Sequence, residues 1–208
     1  WMVSPLFGGM TLGVTYFLAK DMVNESVARL VVFLGVLSPF NRMMSSIFMS
    51  HAAAMFWVVV ALWSLWNWGQ RAANSPKRYP LIAGLALGWI YLTRPQAGAV
   101  TLPVMVLWTV YRVRWCGWRR FVLFAFPLVI AVVFLGVYNQ QLTGDPLVNP
   151  RYFVDPGRSL GFGKSLGVPL ANGLRSGHDF ARGLKNAEIL FNLLNAEIVG
   201  WGAWSVLG

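Results

Sequence analysis

The sequence is short of the groups that most reaction chemistry uses: one cysteine, two histidines and seven acidic residues among 208. The lone Cys116 excludes an intramolecular disulfide and a cysteine-based metal cluster. No Ser-His-Asp set, no metal-ligand spacing and no paired carboxylates with the spacing of a catalytic dyad stand out. Charged residues make up only 12% of the chain, too few to cover a water-soluble domain of this size.

Apolar residues take their place, at 57%, with 11 Trp and 14 Phe. The stretch AAAMFWVVVALWSLWNW, residues 52 to 68, lacks the polar face that a water-exposed helix shows every 3.6 residues. The chain therefore reads as an all-α membrane protein, a polytopic bundle of transmembrane helices. Spans are expected at about 5 to 19, 28 to 40, 51 to 68, 80 to 93, 97 to 111 and 121 to 138, with another beginning near 197. Several are short for a bilayer core of roughly 30 Å, so tilted or broken spans are expected. The Trp1 start and the apolar end at Gly208 read as those of an internal fragment. The organisation expected is a bundle over 1–138, an outer loop with an amphipathic surface helix over 139–196, and the start of a further span over 197–208.

The net charge of +10 raises the question of nucleic acid, but its distribution answers differently. Lys20 and Arg29, then Arg71, Lys77 and Arg78, then Arg112, Arg114, Arg119 and Arg120 occupy alternate connections, while Arg42 and Arg94 stand alone in the others. The positive-inside rule makes the richer set cytoplasmic in a multi-pass membrane protein, with lipid rather than nucleic acid as its surroundings. The segment from Asn139 then lies outside. Its Gly, Pro, Asn and Asp residues predict turns, and FARGLKNAEILFNLLNAE, from residue 180, has helical spacing of Leu and Phe.

Few residues outside the cytoplasmic set carry chemistry. Arg94 interrupts GLALGWIYLTRPQAGAVTLPVMVLW, and Pro95 turns the chain there, so Arg94 stands at a water-filled mouth or snorkels to lipid headgroups. His51 and Arg42 fall on the same side, and the three supply what an interfacial phosphate needs; a lone interfacial His also serves as a hydrogen-bonded or headgroup-facing residue. GFGKSLG, residues 161 to 167, is no Walker loop, because position 158 is Arg where Gly is required. With Arg158 and Lys164 it is a glycine-rich outer loop able to meet phosphate or sugar oxygens, or a plain connection. Asp145 and Asp155, each before proline, are turn formers, and Asp21 and Glu25 belong to a solvated face beside Lys20 and Arg29.

Three stretches resemble the polytopic glycosyltransferases of the GT-C superfamily, especially bacterial family 39 and protein-mannosyltransferase-like members. They are VLSPFNRMMSSIFMSHAAAMFWVVVALWSLW, LIAGLALGWIYLTRPQAGAVTLPVMVLW, and YNQQLTGDPLVNPRYFVDPGRSLGFG with the following GHDFARGLKNAEILFNLLNAEIVGWG. The resemblance implies an active site at the outer face, a polyprenyl-phosphate-linked sugar donor, and a glycan, lipid or protein acceptor. It allows a divalent metal as cofactor. It also implies a catalytic Asp in a first outer loop, to which nothing in this sequence corresponds. In that scheme Arg94 holds the departing lipid phosphate, with His51, Arg42, Arg158, Lys164 and His178 as further substrate-binding residues. The competing class is a membrane transporter for an anionic or sugar-containing substrate, which would pair its broken helices in two related halves; the TRP break has no second copy.

Overall fold

The computed structural model describes residues 2–47, 50–71, 76–113, 118–150, 163, 166 and 176–199. Regular structure among them is helical: α1 (Val3–Met22), α2 (Glu25–Leu37), α3 (Pro39–Ser46), α4 (His51–Arg71), α5 (Arg78–Thr93), α6 (Pro95–Val113), α7 (Trp118–Thr143) and α8 (Phe180–Val199). One isolated antiparallel bridge joins Gly163 to His178.

Local chemistry makes the connections shorter than the sequence predicts. Between α1 and α2 only Val23 and Asn24 remain non-helical, because the extended Asn24 accepts the Val27 N–H at 2.9 Å and starts a new helix. Glu25 braces the junction, accepting from Lys20 at 3.3 Å and from Arg29 at 2.6 Å. At Ser38 the chain leaves α2 and bends by 60° into α3. Pro39 forces this, since it disfavours helix at the residue before it while itself fitting the first helical turn. The predicted outer loop over 40–50 is therefore helical as far as Ser46, with Asn41 Nδ2 donating back to the Gly35 carbonyl at 3.2 Å. The structure extends α7 past residue 138 to Thr143, where Gly144 at φ 78° closes the helix in the left-handed conformation.

The chain divides into two compact units, residues 1–133 and 134–208. In the first, α5 packs against both α4 and α7. Its Ala83, Ala86, Leu87 and Ile90 are buried to 0% exposure and pack with Phe56, Leu65 and Trp68 of α4 and Phe124 of α7. Gly84 and Gly88 let α7 approach. A Cβ on Gly84 would sit 3.0 Å from the Phe124 carbonyl carbon, closer still to its oxygen, and one on Gly88 would meet the Ala131 Cβ at 3.1 Å.

Ring contacts fix the helix directions. Phe7–Phe56 at 5.4 Å, near the starts of α1 and α4, and the Asp21 contacts to Trp63 and Asn67, near their ends, run these two helices side by side in the same sense. Trp57–Trp89 at 5.7 Å and Trp63–Tyr79 at 5.8 Å run α5 against α4. The unit thus has one end holding the starts of α1, α4 and α6, and another holding Asp21, Lys77 and Arg78. By length and composition, α4 and α7 are able to cross a membrane, and α2 with α3 makes a third if that bent pair is one broken span. At 16 residues, α5 is only about 24 Å long.

In the second unit Thr143 Oγ1 organises the turn after α7: the carbonyls of Asn139, Asp145 and Val148 lie within reach of its one proton, and it accepts from the Asp145 N–H. Asp179 caps α8, its Oδ1 accepting from the Arg182 N–H at 2.7 Å. The helix predicted from residue 180 is present, and from Phe180 to Leu193 every residue except Gly183 is exposed. The further span expected from residue 197 falls largely beyond the described residues.

Candidate functional site at the α5–α6 corner

Residue 94 alone separates α5 from α6. Its N–H closes α5 by donating to the Ile90 carbonyl at 2.8 Å, and its carbonyl opens α6 by accepting the Gly98 N–H at 2.9 Å. Proline at position 95 needs no helical partner for its missing N–H, and it holds Arg94 in an extended backbone, φ −145° and ψ 83°. So tight a reversal also needs Gly98: a Cβ there would stand 2.8 Å from the Tyr91 Cα. The Arg94 side chain is thereby anchored on a backbone with no slack.

His51, the first residue of α4, meets it. The Arg94 Nη1 donates to His51 Nδ1 and lies 3.3 Å from Nε2. Both side chains are half-buried. The remaining N–H groups of the guanidinium fork have no partner among the described residues, so they are available for a planar, two-oxygen acceptor such as phosphate. The starts of α4 and α6 converge on the pair, so the positive ends of both helix dipoles point toward it.

The other sequence-derived residues are distributed as follows. Arg42 is exposed on α3, and no described residue bonds its guanidinium. That helix sits at the same end, because its Ser45 covers Gly8 near the start of α1. His178 is half-buried in the second unit, its backbone paired with Gly163 by bonds of 2.8 and 2.9 Å. The glycine-rich loop is thus tied at Gly163 to the residue before the α8 cap. Arg158 and Lys164 lie outside the described residues.

Asp21 is the polar residue whose role the sequence conceals. Rather than only facing solvent, its Oδ2 accepts from Trp63 Nε1 at 2.9 Å and Asn67 Nδ2 at 2.8 Å, and its carbonyl accepts from Trp66 Nε1 at 3.3 Å. Trp63 and Asn67 are one turn apart on α4, a spacing that puts both donors on one face, but no local pattern ties them to a carboxylate 42 and 46 residues earlier.

Among the described residues no three His, Cys, Asp or Glu side chains converge, and the first unit's described carboxylates, Asp21 and Glu25, stand at the end opposite Arg94. Comparison of the chain with protein-family models, with characterised proteins and with solved structures gives no match.

Proposed function

We propose that the chain is a multi-pass membrane glycosyltransferase that transfers a sugar from a polyprenyl-phosphate-linked donor to a glycan, lipid or protein acceptor at the outer face of a bacterial inner membrane. The observation that carries this reading is the Arg94 corner: a rigidly based guanidinium with donors that no described residue pairs, at the end of the unit that lacks described carboxylates. In the reaction the acceptor oxygen bonds to the anomeric carbon while the bond from that carbon to the phosphate oxygen breaks. The electron pair leaves on the phosphate, and Arg94 stabilises the charge that develops there through two parallel N–H bonds. The acceptor's proton goes to a carboxylate, which is neither Asp21 nor Glu25, since both lie at the far end.

Orientation follows from the charges. Lys20, Lys77, Arg78, Arg119 and Arg120 belong to the Asp21 end and are assigned to the cytoplasm, which leaves Arg94 and Arg42 outside. The sequence resemblance to the GT-C enzymes supports the same side for the site.

The test is sugar transfer from a polyprenyl-phosphate-linked donor in membranes holding equal amounts of folded wild type, Arg94→Lys and Arg94→Ala. Loss of a charge-assisted contact in a partly dry site costs about 2 to 4 kcal/mol, a thirtyfold to several-hundredfold drop in kcat/KM. Lysine supplies charge without the fork and should retain an intermediate rate. Alanine within about threefold of wild type, below 1 kcal/mol, would reduce Arg94 to a headgroup anchor.

A further inference from the structure

The partner that the structure gives Arg94 is itself titratable, and their contact restricts its protonation state. A guanidinium has five donors and no acceptor. The ring nitrogen that faces it must offer a lone pair, so His51 in this arrangement is neutral. An imidazolium has two N–H donors and no lone pair to offer. Protonation would therefore set two cations against each other and separate them, unless an anion lay between.

Among the described residues of the first unit, no carboxylate at this end offsets the charge. Between Arg42 and Arg71 the only ionisable side chain is His51, and between Arg78 and Arg112 the ionisable side chains are Arg94 and the tyrosines Tyr79, Tyr91 and Tyr111. The start of α1 contributes no charged side chain before Lys20, and α3 contributes Arg42, which is exposed. Among these residues a proton bound by His51 thus meets only positive neighbours, and an incoming anion would reverse that balance.

We propose that the His51–Arg94 pair is a proton-linked anion site: with no ligand, neutral His51 holds the guanidinium, and a phosphodiester displaces that contact while His51 takes up a proton from solvent and becomes a second cationic donor to it. The inference rests on the assignment of Arg94 to the donor phosphate and adds its regulation. Because binding and protonation favour each other, affinity is highest below the pKa of His51 in the free protein. It falls about tenfold per pH unit until the pKa in the complex is passed, then levels off.

Calorimetric titration of the detergent-solubilised full chain with farnesyl methyl phosphate provides the test, since this phosphodiester keeps one charge throughout pH 5.5 to 8. Repeating it in buffers of different ionisation enthalpy counts protons. Wild type should take up close to one proton within the falling limb. His51→Gln, with folding verified by circular dichroism, should bind without proton uptake and with affinity independent of pH. Uptake of no proton by wild type, with binding that Arg94→Ala abolishes, would overturn the proton linkage and leave the phosphate assignment standing. Binding that Arg94→Ala leaves intact, or absence of binding by wild type, would overturn both. Dimethyl phosphate separates the sources of the anion: equal affinity for it would keep the linkage but favour a soluble phosphodiester over a lipid-linked one.

Discussion

Gly84→Ala tests the close approach on which the first unit is built. Two effects oppose each other. Alanine improves helix propensity by about 1 kcal/mol over glycine in a helix interior. The added methyl, however, would stand 3.0 Å from the Phe124 carbonyl carbon and 3.2 Å from its Cα, and it cannot rotate away. The obstacle is backbone, so α5 and α7 must separate by on the order of 1 Å, and overpacking of that kind costs about 1 to 3 kcal/mol. Part of the Trp68–Phe124 ring contact, with centroids 5.6 Å apart, would loosen with it. Gly13→Ala is the matched control: it lies inside α1, where a Cβ meets no atom within 4 Å, so propensity acts alone. Denaturation of the purified protein in mixed micelles should rank Gly13→Ala at or above wild type and Gly84→Ala below it. The gap between the variants then reads packing with propensity cancelled. Equal midpoints for the two variants would refute the α5–α7 contact.

Two further outcomes follow from the opposite end. Asp21→Ala leaves the indole N–H of Trp63 and one donor of the buried Asn67 without their acceptor and should lower stability by about 1 to 3 kcal/mol, with a changed tryptophan emission; Asp21→Asn, which keeps an acceptor oxygen, should lose less. In a Cys116→Ser background, a cysteine at Leu147, which is 91% exposed, should react with a membrane-impermeant thiol reagent in whole cells, and one at Lys77 only after permeabilisation. Labelling of Lys77→Cys in intact cells would reverse the orientation and put Arg94 inside.

What the sequence made legible was whatever a few neighbouring residues decide. Pro95 marks the corner at Arg94, and the apolar runs of α4 and α7 account for two helices able to cross a membrane. Polar residues read as loop were harder, because their side chains end one helix and begin the next. Asn24 fell in an expected connection and Ser38 near the end of the expected span 28 to 40, and each accepts the N–H that starts a helix, leaving almost no loop. A residue type that favours caps and turns alike does not reveal from its neighbours how much chain lies between two helices.

The site was legible in its parts and not in their chemistry. Arg94 and His51 are 43 residues apart, and their types alone fit headgroup anchoring as well as a binding site. Their contact changes the question, because arginine has no acceptor. A histidine facing carboxylate donates to it; facing a guanidinium, it must offer a lone pair instead, and a second proton on the ring calls for an anion between the two groups. The same side chain at the same membrane depth therefore acts as a fixed charge or as a sensor according to a partner that only the fold supplies. His51 owes that partner to the one-residue link between α5 and α6, which leaves the Arg94 side chain a narrow range of directions, and to the antiparallel pairing of α4 with α5, which carries His51 to the same end.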